Sequence, residues 1–143
     1  MTIAKRPGWF IILVCVLILW GLAGCAAFYV HVKYGPAMDP AATDWDRAYF
    51  AALPPWFTWD YAVAVGAGLL GSIALLARSR WAGLLYVLSL IAVAIQFGYV
   101  FFATDLLAHK GAAATVPFPV FIVAMALLQV WLAGYARDRN WVS

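Results

Sequence analysis

Glutamate is absent from this 143-residue chain, and charged residues of every kind occupy only 10% of it. A soluble domain carries charge at roughly a quarter of its positions. Hydrophobic residues fill 67% of the sequence instead. The formal net charge of +3 is scattered among short polar segments, so it does not form the basic patch that nucleic-acid binding needs. The composition therefore argues against a soluble domain and predicts no nucleic-acid partner.

Signature motifs of catalysis are missing as well. The chain has no GxSxG, no HExxH and no Walker loop. A GxGxxG pattern occurs at residues 66–71, but it lies inside an apolar run and cannot open a soluble helix after a strand. The only cysteines, Cys15 and Cys25, lie about 15 Å apart on one predicted helix and cannot bridge each other. We therefore predict that the protein is not an enzyme and that it carries no cofactor or metal.

Long apolar runs are what the sequence does contain. There are four of them, at residues 9–32, 57–77, 81–103 and 118–136. Each is about as long as the ~20 residues that a helix needs to cross a bilayer. The connection between the second and third runs is so short that these two helices must form a tight antiparallel hairpin. We predict an all-α fold, a single membrane domain over residues 1–143 built as a four-helix bundle in contact with lipid.

The charges outside these runs are sorted by sign. One set of ends carries Lys5, Arg6, Arg78, Arg80, Arg137 and Arg139, with Asp138 as the one acid among them. The opposite ends carry Asp39, Asp44, Asp46, Asp60 and Asp105 beside Lys33, Arg47 and Lys110. Short loops rich in lysine and arginine stay in the cytoplasm. The pattern predicts a multi-pass protein with both termini cytoplasmic.

The first apolar run has a second interpretation. The stretch LAGC at residues 22–25, behind Lys5 and Arg6, resembles the cleavage site of a bacterial lipoprotein, with Cys25 as the lipid-bearing residue. However, the run is longer than a usual signal core. Apolar residues also continue over 26–30, where a mature lipoprotein normally has a polar tether. We therefore expect the first helix to be retained.

The longest polar segment, residues 33–56, contains a helix signal of its own. Thr43 precedes Asp46 by three positions, which is a variant of the capping box. Aromatic and apolar residues follow at helical spacing, at Trp45, Tyr49 and Leu53. This spacing predicts a short helix over residues 43–53 that lies at the outer membrane–water boundary.

Polar side chains inside the predicted spans are few. Ser72, Ser89 and Gln129 all fall about 9–12 Å from the cytoplasmic ends, so we predict an intramembrane polar rung in which they satisfy one another. Gln96 lies higher, at about 22 Å.

Small residues recur at every fourth position of the second run (64, 68 and 72). That spacing predicts that this helix is central in the bundle or packs against a partner.

Ionisable residues are absent from the middle of every run, whereas proton- and ion-coupled carriers usually keep one on the transport path. Charged and aromatic residues collect at the outer ends instead. We predict that this outer cap binds a partner or ligand through Trp45, Arg47, Tyr49, Trp59, Asp60, Asp105 and His109. A plain solvated cap and a metal site made by the outer aspartates and histidines are the alternatives, and no fixed ligand spacing supports the metal.

Three segments resemble a small family of bacterial inner-membrane proteins that often carry the provisional label "sugar transporter". They are WGLAGC at residues 20–25, LLGSIALLARSRWA at 69–82 and the stretch from residue 91 to 119. The resemblance implies four helices in a bacterial inner membrane, and the label implies sugar transport. It transfers no binding residues, because no motif with an assigned role is there to match.

Two functions follow from these observations. The first is an accessory or structural subunit that binds other membrane proteins, lipids or a hydrophobic cofactor such as a pigment or quinone. The alternative is a small oligomeric transporter or channel for a neutral solute such as a sugar, since four helices alone are too few to enclose a wide polar path. We expect another membrane protein or a second copy of the chain as partner. An enzyme using the outer aspartates and histidines is the weakest possibility.

Overall fold

The computed structural model describes residues 5–142 and contains no strand within them. Its α-helices are α1 (Gly8–Lys33), α2 (Asp44–Ala52), α3 (Pro55–Leu76), α4 (Trp81–Phe102), α5 (Leu106–Lys110), α6 (Ala112–Thr115) and α7 (Pro117–Asp138), with a 3₁₀ turn at Gly35–Met38. Helices α1, α3, α4 and α7 are long and apolar enough to cross a membrane, with mean hydropathies of 2.7, 1.5, 2.2 and 1.9. The predicted all-α, four-helix membrane bundle is confirmed.

The four long helices form an arc rather than a closed square. Helix α3 packs along α1 on one side and along α4 on the other, and α4 packs along α7. In the described chain, no Cα atom of α1 lies within 8 Å of a Cα atom of α7. The prediction that the second span is central is confirmed, because α3 lies between two neighbours. The arc leaves α1 and α7 as its two ends.

Glycines set the close approaches of α3. A methyl group on Gly21 of α1 would lie 3.0 Å from the backbone Cα of Leu69, and one on Gly71 would lie 2.6 Å from the ring of Tyr86 on α4. Small residues in this position let helix backbones come together where lipid supplies no hydrophobic driving force. The short spacing between α3 and its neighbours therefore depends on residues that lack a side chain.

The predicted cytoplasmic half of the bundle is solidly packed. Its core consists of Phe10, Val14, Leu17, Leu75, Ala82, Tyr86, Leu132, Ala133, Ala136, Trp141 and Val142. After α7 the chain turns back at Asn140, whose φ of 59° is left-handed, and the Trp141 N–H donates to the Ala136 carbonyl at 2.9 Å. The Trp141 ring then packs against Phe10, with the ring centroids 4.6 Å apart. This end of the bundle is closed by side chains.

A basic residue also closes the end of α3. Arg6 donates from Nη1 to the carbonyls of Leu76 and Leu75 at 2.7 and 3.3 Å. The last carbonyls of a helix have no partner within it, and they attract positive charge. Burial lowers the pKa of the Arg6 guanidinium, and the charge of Arg78 lowers it further. Arg6, one of the basic residues that predict the orientation of the chain in the membrane, therefore also caps the C-terminal end of α3.

The short helix α2 occupies the place predicted from the sequence. Thr43 and Asp46 form the capping box: the Thr43 N–H donates to Asp46 Oδ2 at 2.8 Å, and the Asp46 N–H donates to Thr43 Oγ1 at 3.3 Å. The helix ends at Ala52 because two prolines follow, the second of which opens α3. The predicted range of 43–53 is confirmed to within its cap residues at both ends.

Candidate functional site

A cavity of about 200 Å³ lies among the four long helices, in the half of the bundle away from the closed core. Its wall is mainly apolar and aromatic. The lining side chains include Trp20, Val65, Val93, Phe97, Phe118, Ile122 and Ala126, with Tyr61, Ser89, Gln96 and Gln129 as the polar ones. No lysine, arginine, histidine or acid lines it. The cavity is partly open and lies between helices that are long and apolar enough to cross a membrane.

The cavity exists because of the small residues and the open arc. Gly21, Gly24 and Ala27 face it from α1, and Ala64 and Gly68 face it from α3. Helices α1 and α7 form opposite walls without backbone contact. Their side chains meet beside the cavity where the ring of Trp20 contacts the ring of Phe121, with centroids 5.4 Å apart. The gap between α1 and α7 is therefore spanned by side chains and not by packed backbone.

The predicted polar rung is wrong in its bonding. Ser72, Ser89 and Gln129 are all buried, with exposed fractions of 0%, 4% and 3%. However, Ser72 bonds to the Tyr86 hydroxyl at 2.7 Å and donates to the Gly68 carbonyl at 3.2 Å. The Ser89 hydroxyl donates to the Ala64 carbonyl at 2.6 Å. Both serine hydroxyls therefore donate to backbone carbonyls, four residues back on the same helix or on the adjacent helix, and not to the other members of the rung.

Gln129 is the residue of that set without a partner. The residue is 3% exposed, lines the cavity and makes no side-chain hydrogen bond to any described residue. Gln96 also lines the cavity and has no side-chain partner in the described part of the chain. Gln96 is half-buried, whereas Gln129 is buried. Both amides therefore face the cavity with hydrogen-bonding groups that no described residue uses.

The outer cap is held together by α2 and the segment that follows α4. The Trp45 ring stacks flat on His109, with centroids 3.9 Å apart and an interplanar angle of 3°. Lys110 pairs with Asp46 at 2.6 Å, and Tyr49 shares a hydrogen bond with Thr104 at 3.3 Å. The bond from Lys110, followed by the backbone N–H of Thr43, lowers the pKa of Asp46 to about 2. Burial raises the pKa of the Tyr49 hydroxyl.

The structure brings together only part of the predicted cap site. Trp45, Tyr49 and Asp105 line a cleft of about 310 Å³ with Tyr99 and Thr104, and His109 covers Trp45. Arg47 instead pairs with Asp44 in solvent. Trp59 is 74% exposed on the outside of α3, and Asp60 has a buried Oδ2 without a partner among the described residues. Residues 5–142 hold no group of three metal-ligating side chains.

The residues that the sequence did not connect are those of the cavity wall. Gln96 was recognisable as an intramembrane polar residue, but it stood at a different height from Gln129. In the sequence, nothing distinguishes Trp20, Tyr61 and Phe97 from the other residues of the apolar runs. Only the packing of four helices shows that they face one space. Comparison with protein-family models, with curated proteins and with solved structures finds no match.

Proposed function

We propose that this protein is a non-catalytic membrane protein that takes a small amphipathic molecule from the bilayer into the cavity between α1 and α7. The observation that carries the proposal is the buried Gln129 amide, which lines the cavity without a hydrogen-bond partner among the described residues. A bound molecule with a hydrogen-bonding group supplies the partner that this amide lacks among the described residues. Binding of this kind fits an accessory subunit that holds a hydrophobic ligand for other membrane proteins.

The size and chemistry of the cavity describe its ligand. At about 200 Å³ it is smaller than the ~300–1,000 Å³ of sites for drug-sized molecules. It therefore holds a head or ring, while a longer tail leaves between α1 and α7 into the lipid. An ionised head would be buried without a counter-charge, because no charged side chain lines the wall. The ligand is uncharged.

The setting we propose is a bacterial inner membrane with both termini in the cytoplasm. The distribution of charge supports this orientation. Basic residues lie at the α3–α4 turn and beyond α7, and acidic residues lie in the opposite loops. In this orientation the closed aromatic core faces the cytoplasm and the cavity lies in the outer half of the membrane. The exposed apolar faces of the four long helices contact lipid, another membrane protein or a second copy of the chain.

Native mass spectrometry of the protein released from lipid nanodiscs tests the proposal. We expect the wild type to carry a small molecule that is absent from Gln129→Met, which keeps the length of the side chain and removes the amide. Leu127→Met is the matched control, since Leu127 is 54% exposed on the other side of the same helix. An empty wild type, or equal loading of wild type and Gln129→Met, contradicts the proposal. The same spectra show whether the chain forms a complex or an oligomer.

A second function has one observation in its favour. The polar groups of the cavity are hydroxyls and amides only, which are the groups that bind a neutral solute such as a sugar. A small oligomeric transporter would use the cavity as its outward-facing binding site. Uptake assays in proteoliposomes that contain the purified protein distinguish the two functions. Uptake of a labelled neutral sugar by the wild type, lost in Gln129→Met, supports transport. If the wild type takes up no sugar, the binding function is favoured.

A further inference from the structure

We propose that the cleft of the outer cap, between α2 and the end of α4, binds a trimethylammonium group of the kind that choline carries. This site is separate from the cavity between α1 and α7, and it does not depend on the function proposed for that cavity.

Aromatic rings and one carboxylate form the wall of the cleft. Trp45 and Tyr49 line it from α2, Tyr99 lines it from α4, and Asp105 lines it from the segment after α4. No lysine, arginine or histidine among the described residues lines the cleft. Its volume of about 310 Å³ lies at the small end of the ~300–1,000 Å³ that is typical of ligand sites.

The carboxylate of Asp105 gives the cleft a negative charge. Asp105 precedes α5, but among the described residues its side chain makes no capping bond, no other hydrogen bond and no ion pair. Burial raises the pKa of the Tyr49 hydroxyl, and the charge of Asp105 raises it further. Lys110 lies 5.6 Å from the centroid of the Trp45 ring, but it is paired with Asp46 at 2.6 Å. The charge of the cleft therefore favours a cation as ligand.

The rings of the cleft are held in place before any ligand binds. Trp45 stacks on Tyr49 and on His109, with centroids 5.1 and 3.9 Å apart. Tyr99 meets Trp56 edge-on at 5.1 Å. The faces of tryptophan and tyrosine rings attract cations, and quaternary ammonium groups are the ligands most often bound in this way. Because the rings are already ordered, little conformational entropy is lost on binding.

The hydroxyls beside the rings favour a trimethylammonium group over a primary ammonium. Tyr49 and Thr104 share a hydrogen bond at 3.3 Å, and the Thr104 hydroxyl donates to the Val100 carbonyl. A primary ammonium brings three N–H donors that need acceptors, whereas a trimethylammonium group has none. A metal ion would find one carboxylate in the cleft, since the described residues hold no group of three metal-ligating side chains.

Choline and its neutral analogue 3,3-dimethylbutanol test the site, because the analogue replaces the charged nitrogen by carbon and keeps the shape. Ligand-detected NMR titrations measure the binding of each to the wild-type protein in dodecyl maltoside micelles, with empty micelles as the reference and ethanolamine as the primary ammonium. We expect choline to bind about 5-fold or more tightly than either, since each ring contact contributes about 2- to 5-fold. Equal binding of choline and the analogue, or no binding of either, overturns the proposal. Tighter binding of ethanolamine overturns it in favour of a primary ammonium.

Two aspartate variants locate the charge that attracts the probe. Asp105→Asn should lower choline affinity about 2- to 5-fold, and it should leave α5 intact because Asp105 makes no capping bond. Asp44→Asn is the matched control, since it removes the same charge from the same cap and Asp44 lies in solvent beside Arg47. An equal loss in the two variants would show that the net charge of the cap attracts choline, and the proposed site would be refuted.

The trimethylammonium group can belong to a soluble compound or to the head of a lipid. Native mass spectrometry of the protein released from nanodiscs of mixed phosphatidylcholine and phosphatidylglycerol separates these two sources. Phosphatidylcholine retained by the wild type and lost in Asp105→Asn supports the lipid head. Binding of choline without retention of phosphatidylcholine supports a soluble compound. Neither result bears on the Gln129→Met test of the cavity.

Discussion

Replacing Gly71 by alanine probes the packing of α3 against α4 at its tightest point. The added methyl would lie 2.6 and 2.8 Å from two carbons of the Tyr86 ring, so the ring or the helix must shift. Tyr86 is fully buried in the closed core, and its hydroxyl is bound to Ser72 at 2.7 Å. The ring therefore has no free space to rotate into. Overpacking of a core costs about 1–3 kcal/mol, and loss of an intramembrane hydrogen bond adds about 0.6 kcal/mol.

We expect Gly71→Ala to lower the free energy of unfolding by about 2–3 kcal/mol. The measurement is a titration with a denaturing detergent, followed by circular dichroism, beside a thermal melt at fixed lipid content. Gly66→Ala is the control on the same helix, because a methyl there meets nothing within 4 Å. Removing the ring should restore much of the loss, so Gly71→Ala combined with Tyr86→Leu should differ little from Tyr86→Leu alone. Equal stability of the Gly71 and Gly66 variants would refute the packing described for α3 and α4.

Three further predictions concern the cap and the orientation. The pKa of Asp46 is lowered from 3.8 to about 2 in the folded protein, so its contribution to the attachment of α2 is complete above pH 4 and is lost as the pH falls through 2. Amide hydrogen exchange in α2 should show this loss. The variant Lys110→Gln should weaken the dependence of that exchange on pH. Trp45→Ala should speed amide hydrogen exchange in α2, because it removes the stack on His109, which contributes about 0.5–1.5 kcal/mol. The control Trp59→Ala should leave that exchange unchanged. Equal exchange rates in the two variants would make α2 a simple membrane anchor. A reporter fused after residue 143 should show cytoplasmic activity and no periplasmic phosphatase activity, and the reverse result would invert the proposed topology.

Much of the fold follows from properties of contiguous residues. A run of about twenty apolar residues must pair its own backbone groups in lipid, so it forms a helix wherever it lies in the chain. The four spans were predictable for that reason. Helix α2 was predictable because its capping box joins Thr43 to Asp46, three positions apart. The small residues of α3 predicted that it packs closely against other helices, because a residue without a large side chain permits close approach of any partner helix.

The candidate site depended on contacts between residues far apart in the chain. Trp45 stacks on His109 and Tyr49 meets Thr104, and no spacing in the sequence connects these pairs. The serines were expected to bond to each other and to Gln129, but the position of α4 against α3 directs Ser89 to the carbonyl of Ala64. Gln129 is left facing the cavity as a consequence.

Hydropathy alone therefore determined that four helices cross the membrane, and the sorted charges supplied a predicted orientation. Which faces of the helices meet was decided only by the tertiary structure. Lipid tails are as apolar as leucine, so hydrophobicity does not select the face that a helix turns inward. Close packing makes that selection, through fits such as Gly71 against Tyr86. The cavity between α1 and α7, and the amides that face it, are the space which that packing leaves unfilled.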